Sequence, residues 1–285
     1  FAYGLHAETN QAFEIDFPRW ASSLRGGSVY NFDADLDDGG SFYINRFFVE
    51  GMFGYMWSYD SFLAVTVGGG QDDYHFSEEV PLEPWNNINN YRLGLYGRWA
   101  LSDKWCLFAA PSVRAYAEET VDPLDGLTGA LFGGVSYTFN DRLTLGPALG
   151  IVGQLEDDIR YYPVVLVNWN ISESLSLDTG GGLAATAGPG LALVYKFSNQ
   201  WKAGVTGRYE RKRFRLIRDD GIGEDRNIPI YGTLAYFLYP QGYITMILGY
   251  NADGTLSLYD AEGDLSEETG YDPSVSIGFV ASFRF

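Results

Sequence analysis

Hydrolytic chemistry needs a nucleophile and a general base, and the chain contains only two histidines to act as the base. His75 lies between the carboxylates Asp72 and Asp73 and the hydroxyl of Ser77, which together resemble the parts of a Ser-His-carboxylate triad. Ser77 follows two residues after His75, in a segment expected to be a loop, so proton transfer between them has poor geometry. We therefore predict a solvent-exposed loop histidine, no catalytic residue and no enzyme.

Charged residues at alternating positions suggest a second chemistry, the selection of solutes by charge. Successive side chains of a β-strand point to opposite faces, so residues of one parity share a face. A basic row opposite a carboxylate row forms an electrostatic filter in a pore, but the same charges can instead pair across the interior and fill it. Both interpretations stay open at this stage. The charged residues on the polar parity are Arg46, Arg92, Arg98, Arg114, Arg142, Arg160, Lys196, Lys202, Arg208, Glu50, Asp178 and Glu210.

A dense basic run follows at the end of one predicted strand. Alternation directs Arg208 and Lys212 inward, and it directs Arg211, Arg213 and Arg215 outward. Outward guanidinium groups at the level of lipid headgroups would bind the phosphates of lipopolysaccharide in bidentate fashion. The alternative is that these arginines snorkel at an exposed strand end and pair with neighbouring carboxylates.

Carboxylates are concentrated in the long segments between predicted strands, where closely spaced oxygen ligands could hold Ca²⁺. The segment DADLDDGG at 33–40 resembles the start of an EF-hand loop. Gly39 comes one position too late, however, and the closing glutamate is missing. We predict no metal centre and no cofactor, and we expect solvated loops that attract cations.

The composition indicates which elements position these side chains. The chain has 35 glycines, 16% aromatic residues and no apolar run long enough for a helical membrane span, which favours many strands and tight turns. A formal net charge of -18 argues against nucleic acid as a partner, because phosphates require clustered basic residues. The single cysteine, Cys106, cannot form an intrachain disulfide.

Alternation is clearest in the final segment, 273–285, which reads PSVSIGFVASFRF. Apolar residues occupy one parity and small or polar residues the other, and Val280 breaks the pattern. The segment, which ends on Phe285, resembles the terminal strand of bacterial outer-membrane β-barrels. That resemblance implies recognition by the outer-membrane barrel assembly machinery.

Short polar turns alternate with long acidic or glycine-rich connections along the chain, which is typical of outer-membrane barrels with the short turns on the periplasmic side. This rhythm predicts an all-β protein, a transmembrane antiparallel up-and-down β-barrel of about fourteen strands. Twelve strands are the alternative if 175–197 does not form two strands. We assign residues 1–24 to a periplasmic or lumenal amino-terminal segment and residues 25–285 to the barrel.

The positions of the tryptophans favour a membrane barrel over a soluble sandwich, whose strands would alternate in the same way. Five tryptophans on the apolar parity lie close to short turns, as in an aromatic girdle at a membrane interface. These are Trp57, Trp99, Trp105, Trp169 and Trp201.

The last third of the chain carries a second resemblance. The sequence GEDRNIP at 223–229 and the loop at 256–263, with the ending FRF, resemble an uncharacterised family of bacterial outer-membrane barrel proteins. The resemblance implies the fold and a location in the Gram-negative outer membrane, and it implies no function.

These features predict an outer-membrane channel or porin-like protein for the diffusion or selective uptake of small solutes. Its partners would be outer-membrane lipids, lipopolysaccharide and a small-molecule solute. The first alternative is a closed structural or surface-binding barrel without an open pore, whose lumen is filled by residues 1–24 and inward charges. A lipid-modifying outer-membrane enzyme is the third possibility.

Overall fold

The structure is a computed structural model that describes residues 17–80, 84–156, 158–179, 190–218, 221–238 and 241–285. A short 3-10 helix, Pro123–Gly126, lies between β5 and β6. The strands are β1 (Arg19–Asp35), β2 (Ser41–Ser58), β3 (Ser61–Phe76), β4 (Ile88–Ala100), β5 (Trp105–Glu118), β6 (Leu127–Asn140), β7 (Leu143–Gly153), β8 (Ile159–Asn170), β9 (Leu175–Asp178), β10 (Gly190–Lys196), β11 (Trp201–Arg208), β12 (Glu210–Arg215), β13 (Ile222–Leu238), β14 (Gly242–Tyr259), β15 (Leu265–Tyr271) and β16 (Ser274–Arg284). Within the described part of the chain, we find no helix with the length and apolar character needed to cross a membrane.

The strands close into an antiparallel barrel of fourteen strands, which confirms the predicted fold. Each strand from β1 to β11 pairs with the next along the chain, and the ring continues through β13, β14 and β16 back to β1. β9 and β10 both belong to the wall, so the alternative of twelve strands is not needed. The remaining strands, β12 and β15, extend the wall at its long-loop end and are not members of the ring.

Two boundaries differ from the sequence analysis. β1 begins at Arg19, so residues 19–24 lie in the barrel wall, and residues 1–16 lie outside the described part of the chain. Two of the segments that the rhythm of turns and connections treats as long connections, 218–227 and 252–272, contribute to strand pairs. β12 pairs with residues 222–227 of β13, and β15 pairs with residues 254–259 of β14. Their cross-strand pairing was not visible in a sequence rich in glycine and charge.

The outer face of the wall is apolar, as the alternation predicts. Large side chains such as Phe53, Val67 and Leu248 are exposed on this face, and their neighbours of opposite parity point inward. The five tryptophans predicted to form a girdle all lie outward at strand ends beside short turns. Tyrosines of adjacent strands contact two of them, with Trp105 and Tyr137 rings 4.8 Å apart and Trp201 and Tyr236 rings 4.8 Å apart. A closed wall with an apolar outer belt and an aromatic girdle is suited to a lipid bilayer.

The lumen is packed on one side. Tyr231, Ile247 and Val280 point inward and form a buried cluster, against which Val29 and Phe48 pack from the facing strands. Val280 therefore breaks the alternation because it fills the interior. At Gly249 a side chain would collide with Ser276 and Tyr231, so this sector of the lumen leaves no room for another group.

The lipid-facing belt yields a prediction about stability. Leu248 is 64% exposed near the middle of the wall, and Leu124 is 70% exposed in the 3-10 helix outside it. Leu248→Arg should lower the free energy of unfolding in lipid vesicles by about 2–4 kcal/mol, because a guanidinium group is costly at the bilayer midplane.

Leu124→Arg is the matched control. It should lower the free energy of unfolding by only about 0–1 kcal/mol, since the loop side chain stays in water or near headgroups. The measurement is reversible unfolding in denaturant, followed by tryptophan fluorescence. Equal costs at the two positions would contradict the assignment of the belt to lipid.

Candidate functional site

The site is organised by a strand that leaves the barrel wall. After Tyr209 the chain departs from β10, and β12 pairs only with the upper half of β13, over residues 222–227. The far end of β12 then meets β5, through a parallel bridge between Arg215 and Ala117. Because β6 to β11 separate β5 from β13 in the ring, the β12–β13 hairpin crosses the lumen at its long-loop end.

An apolar cap lies at this end, where the hairpin meets the wall. Phe214 of β12 packs edge-on against Trp85, with ring centroids 4.9 Å apart, and both side chains are fully buried. Tyr74 contacts the same indole from β3, with centroids 5.5 Å apart. Together with buried residues of β2, β4, β14 and β15, they form one hydrophobic cluster that seals this side of the lumen.

A network of buried charges lies directly against the cap. Arg46 of β2 donates to Asp225 at 2.8 Å and to Glu210 at 3.4 Å, so it joins the wall to both strands of the hairpin. Lys212 reaches across to Asp72 of β3 at 2.7 Å. Buried charges of this kind are tolerated because each faces a partner of opposite sign, and loss of one partner leaves a charge uncompensated. The network therefore fastens the hairpin to the opposite wall.

Asp225 is the most heavily used acceptor of this network. Besides Arg46, the hydroxyls of Tyr74 and Tyr271 donate to its two carboxylate oxygens, at 2.8 Å and 2.9 Å. The amide of Asn227 adds a further donor at 3.2 Å. These donors satisfy a carboxylate that is entirely removed from solvent, which a buried ion requires.

The outward orientation predicted for Arg211, Arg213 and Arg215 is wrong. Arg211 pairs with Glu224, and Arg213 pairs with Glu224 and Glu156, all with largely buried side chains. Arg215 donates to the backbone carbonyls of Asp125 and Leu155, at 3.2 Å and 3.4 Å. Alternation along a wall strand does not apply here, because β12 has left the wall and both of its faces meet protein.

Four of the nine predicted basic lumen residues, among them Arg46, are held in ion pairs. Glu50 accepts from Arg25 at 2.9 Å and lies 3.6 Å from Arg92. Arg98 pairs with Asp60 at 3.1 Å, and Arg208 pairs with Glu210. The sequence analysis placed neither Arg25 nor Asp60 in the lumen, although the parity of Arg25 with the buried Ala21 would have indicated the inward face.

The other predicted residues lie at different levels. Lys196, Lys202 and Asp178 are inward near the short-turn end, where the Lys202 ammonium lies 4.4 Å from the ring centroid of Phe237. Arg160 points inward from the start of β8. Arg142 is an exception, because it is exposed in the short turn between β6 and β7 and does not line the lumen.

Arg114 differs from the other lumen arginines. Its neighbour in register on β4 is Arg92, and the hydroxyl of Tyr116 is close enough to interact with its guanidinium. Tyr162 of β8 is close enough to interact with it electrostatically. Among the described residues, no carboxylate lies within ion-pair distance of Arg114. The guanidinium is thus the one described lumen charge of the β4–β5 wall that lacks an acidic partner.

Below Arg114 the lumen is lined by small and apolar side chains. The inward residues of β6, β7 and β8 include Ala130, Phe132, Val152 and Val164, and they remain partly exposed. Phe132 is 36% exposed to solvent although it points inward, whereas the inward Val280 of β16 is 3% exposed. We call this surface on β5 to β10 the open sector, in contrast to the packed sector on β13, β14, β16 and β1.

The triad suggested by His75 does not form. His75 belongs to β3 rather than to a loop, points outward and stacks on Tyr43 with ring centroids 4.5 Å apart. The Ser77 hydroxyl accepts a hydrogen bond from the backbone N–H of Ser41 at 3.0 Å. Nor does the described part of the chain bring together three His, Cys, Asp or Glu side chains that could hold a metal ion.

Comparison with known proteins places the fold among outer-membrane barrels. No protein-family model and no curated protein matches the chain, so the resemblance to an uncharacterised family stays a prediction. An outer-membrane channel from Pseudomonas putida F1 superposes with a TM-score of 0.51 at 9% identity, over 96% of this chain and 99% of that chain.

Two further structures match more loosely. A FadL homologue from Pseudomonas aeruginosa gives a TM-score of 0.45 at 11% identity, over 94% of this chain and 90% of that one. The toluene transporter TodX of P. putida gives 0.42 at 9% identity, over 95% and 90%. The match to the P. putida F1 channel shows that the chain has the fold of an outer-membrane β-barrel, and the apolar belt agrees with this fold.

The charge network has a consequence for pH. Burial by itself would raise the pKa of Glu210, but Arg208, Lys212 and Arg46 outweigh it and lower the pKa from 4.5 to about 2. A carboxylate whose pKa is depressed on folding stabilises the folded state above its unfolded pKa and loses this contribution as the pH falls through its folded pKa. The hairpin should therefore be fully fastened above pH 4.5 and loosen towards pH 2.

Trp85 reports on this transition because it is 2% exposed in the cap. Its emission, obtained by subtracting the spectrum of Trp85→Phe, should be that of a buried indole at neutral pH. It should shift to the red as the pH falls from 4.5 towards 2.

In Glu210→Gln the emission of Trp85 should already be red-shifted at neutral pH, because a neutral amide removes the carboxylate that pairs with Arg208 and one of those that pair with Arg46. Trp85 emission that stays unchanged down to pH 2 in the wild type, or that is unaffected by the substitution, would contradict the proposed fastening.

Proposed function

We propose that the barrel is a channel for small solutes and that the solutes move along the open sector. The observation that supports this function is the asymmetry of the lumen, which is filled by buried side chains on one side and lined by partly exposed small residues on the other. The fold shared with an outer-membrane channel is consistent with this function.

The path runs beside the hairpin rather than through the cap. The hairpin is fastened to β2, β3 and β5 and, through Arg213 and Arg215, to the connection between β7 and β8. The inward faces of β6 to β10 lie outside the hydrophobic cluster. Inward positions of β6 and β7 carry small residues such as Ala130, Gly134 and Ala148, of which Ala148 is buried. Small side chains make few packing contacts, so they would stabilise a filled barrel poorly. They are the side chains expected along a passage for solutes.

The solute we expect is amphipathic. The open sector combines the apolar surfaces of Phe132 and Val164 with the polar groups of Arg114 and Tyr162 at its upper end. A strongly hydrated ion would gain little from such a wall, whereas a small molecule with one polar end fits both parts of it.

A closed barrel is the second candidate, and the cap favours it. The buried cluster around Trp85 and the ion pairs of Arg46 block the axis of the barrel at the long-loop end. In this alternative the protein acts through its outer surface and conducts nothing. We do not propose an enzyme, because His75 faces outward and stacks on Tyr43.

We also propose that the assembly machinery recognises β16. Phe279 and Phe283 are outward on this strand, and the final Phe285 is exposed. The proposal rests on the resemblance of this segment to terminal strands of outer-membrane barrels. We do not propose the predicted headgroup contact with lipopolysaccharide, because Arg211 and Arg213 are buried in ion pairs and Arg215 donates to backbone carbonyls.

Conductance of the purified protein in planar bilayers tests the channel. Val164 points into the open sector and its neighbour Val165 points towards lipid. Val164→Trp should reduce conductance by roughly half or more, because the indole narrows the passage. Val165→Trp, the matched control, should conduct like the wild type.

Two outcomes would overturn the channel. One is equal conductance of Val164→Trp and the wild type. The other is a wild type that does not conduct and stays closed when Asp225→Ala breaks the attachment of the hairpin, which would favour the closed barrel.

A further inference from the structure

We propose that the open sector binds a small organic carboxylate, with its anionic group at Arg114 and its apolar body against Phe132. The inference rests on the proposed function and adds the chemical class of the solute. It follows from three features of the lumen, namely an uncompensated positive charge, hydrogen-bond donors around that charge and an aromatic surface beside it.

The charge of Arg114 is the first feature. The carboxylates nearest to it already serve other residues, since Glu50 is shared by Arg25 and Arg92, and Asp72 is shared by Arg46 and Lys212. Because Arg92 is also its partner in register, Arg114 lies beside a second positive charge. A guanidinium in a partly buried site next to a like charge is stabilised when an anion binds there.

The donors around Arg114 are the second feature. Its guanidinium presents a planar fork that matches the two oxygens of a carboxylate and can donate two parallel hydrogen bonds. Tyr116 of the same strand and Tyr162 of β8 are both close enough to interact with this guanidinium. These hydroxyls lie where they could donate to the same anion, which gives the site directional preference for a carboxylate over a halide.

An aromatic surface beside these donors is the third feature. Phe132 and Tyr162 flank Gly150, where an added Cβ would lie 3.6 Å from the Phe132 ring and 3.4 Å from the Tyr162 Cβ. Phe108 supports the Phe132 ring with centroids 5.4 Å apart. Gly150 is itself buried between the two side chains, so the exposed apolar surface at this place is that of Phe132, which is 36% exposed. A planar or short aliphatic body attached to the carboxylate would cover it.

Isothermal titration of the purified full-length chain in detergent micelles tests the inference with two matched probes. Benzoate carries the carboxylate and the ring, and benzamide replaces the charge with a neutral amide of nearly the same shape. We expect benzoate to bind about tenfold or more tightly than benzamide, because only the anion forms charge-assisted hydrogen bonds with Arg114. Benzamide also serves as the control for partitioning of the aromatic ring into the detergent micelle.

Substitutions then locate the site. Arg114→Met should weaken benzoate binding about tenfold and leave benzamide unchanged, and Arg114→Lys should retain part of the preference. Arg142→Met removes an exposed arginine of a short turn and should bind benzoate like the wild type. Heat-dependent migration on a gel shows whether each variant is folded.

The inference is overturned if benzoate and benzamide bind wild type equally, or if folded Arg114→Met keeps the preference for benzoate. The wild-type comparison decides the matter even where a variant fails to fold. Conductance in potassium chloride is measured separately. A barrel that conducts without preferring benzoate would refute the carboxylate site and leave the channel standing, and a barrel that binds benzoate without conducting would refute the channel.

Discussion

Closure of the wall is the constraint on which the rest of the structure depends. Inside a bilayer no water is available for unpaired backbone groups, so a β-sheet can span the membrane only if its first and last strands pair. Here β1 and β16 pair from Ser23 with Arg284 to Asn31 with Ser276, and the ring has no free edge within the wall. Once the ring is closed, every strand has one face towards lipid and one towards the lumen, and the alternation of apolar and polar residues follows.

Closure leaves an interior that must be either hydrated or filled with side chains. In this barrel one side of the interior is filled, and the other side is not. Tyr231, Ile247 and Val280 fill the side where β13, β14 and β16 meet β1, and the extended strands on that side continue into the hairpin. On the opposite side several inward residues, such as Ala130, Phe132 and Val164, stay partly exposed. The packed sector is a support for the hairpin, and the open sector provides the space in which a solute can be accommodated.

The hairpin is held by charges because its position crosses a polar lumen. Apolar contacts alone would not specify where β12 lies. Arg46 pairs with Asp225 of β13 and with Glu210 of β12, and it can do so only in one arrangement of the two strands. These pairings and those of Glu50 and Asp60 occupy half of the lumen charges that the sequence assigns to a filter. Arg114 is left without a carboxylate among the described residues, so the electrostatic character of the open sector depends on which arginines the hairpin occupies.

Local pattern determined the barrel, because the period of a strand is a property of neighbouring residues. The apolar belt, the tryptophans beside the short turns and the number of strands could all be inferred from alternation and turn spacing. The sequence also identified Arg114 as inward, but it could not separate Arg114 from Arg98 or Arg208. Which arginine meets a carboxylate depends on contacts between strands far apart in the chain, such as Arg46 with Asp225. The departure of β12 from the wall, and with it the burial of Arg211 and Arg213, was likewise decided by tertiary structure, because alternation within a strand carries no information about where the strand as a whole lies.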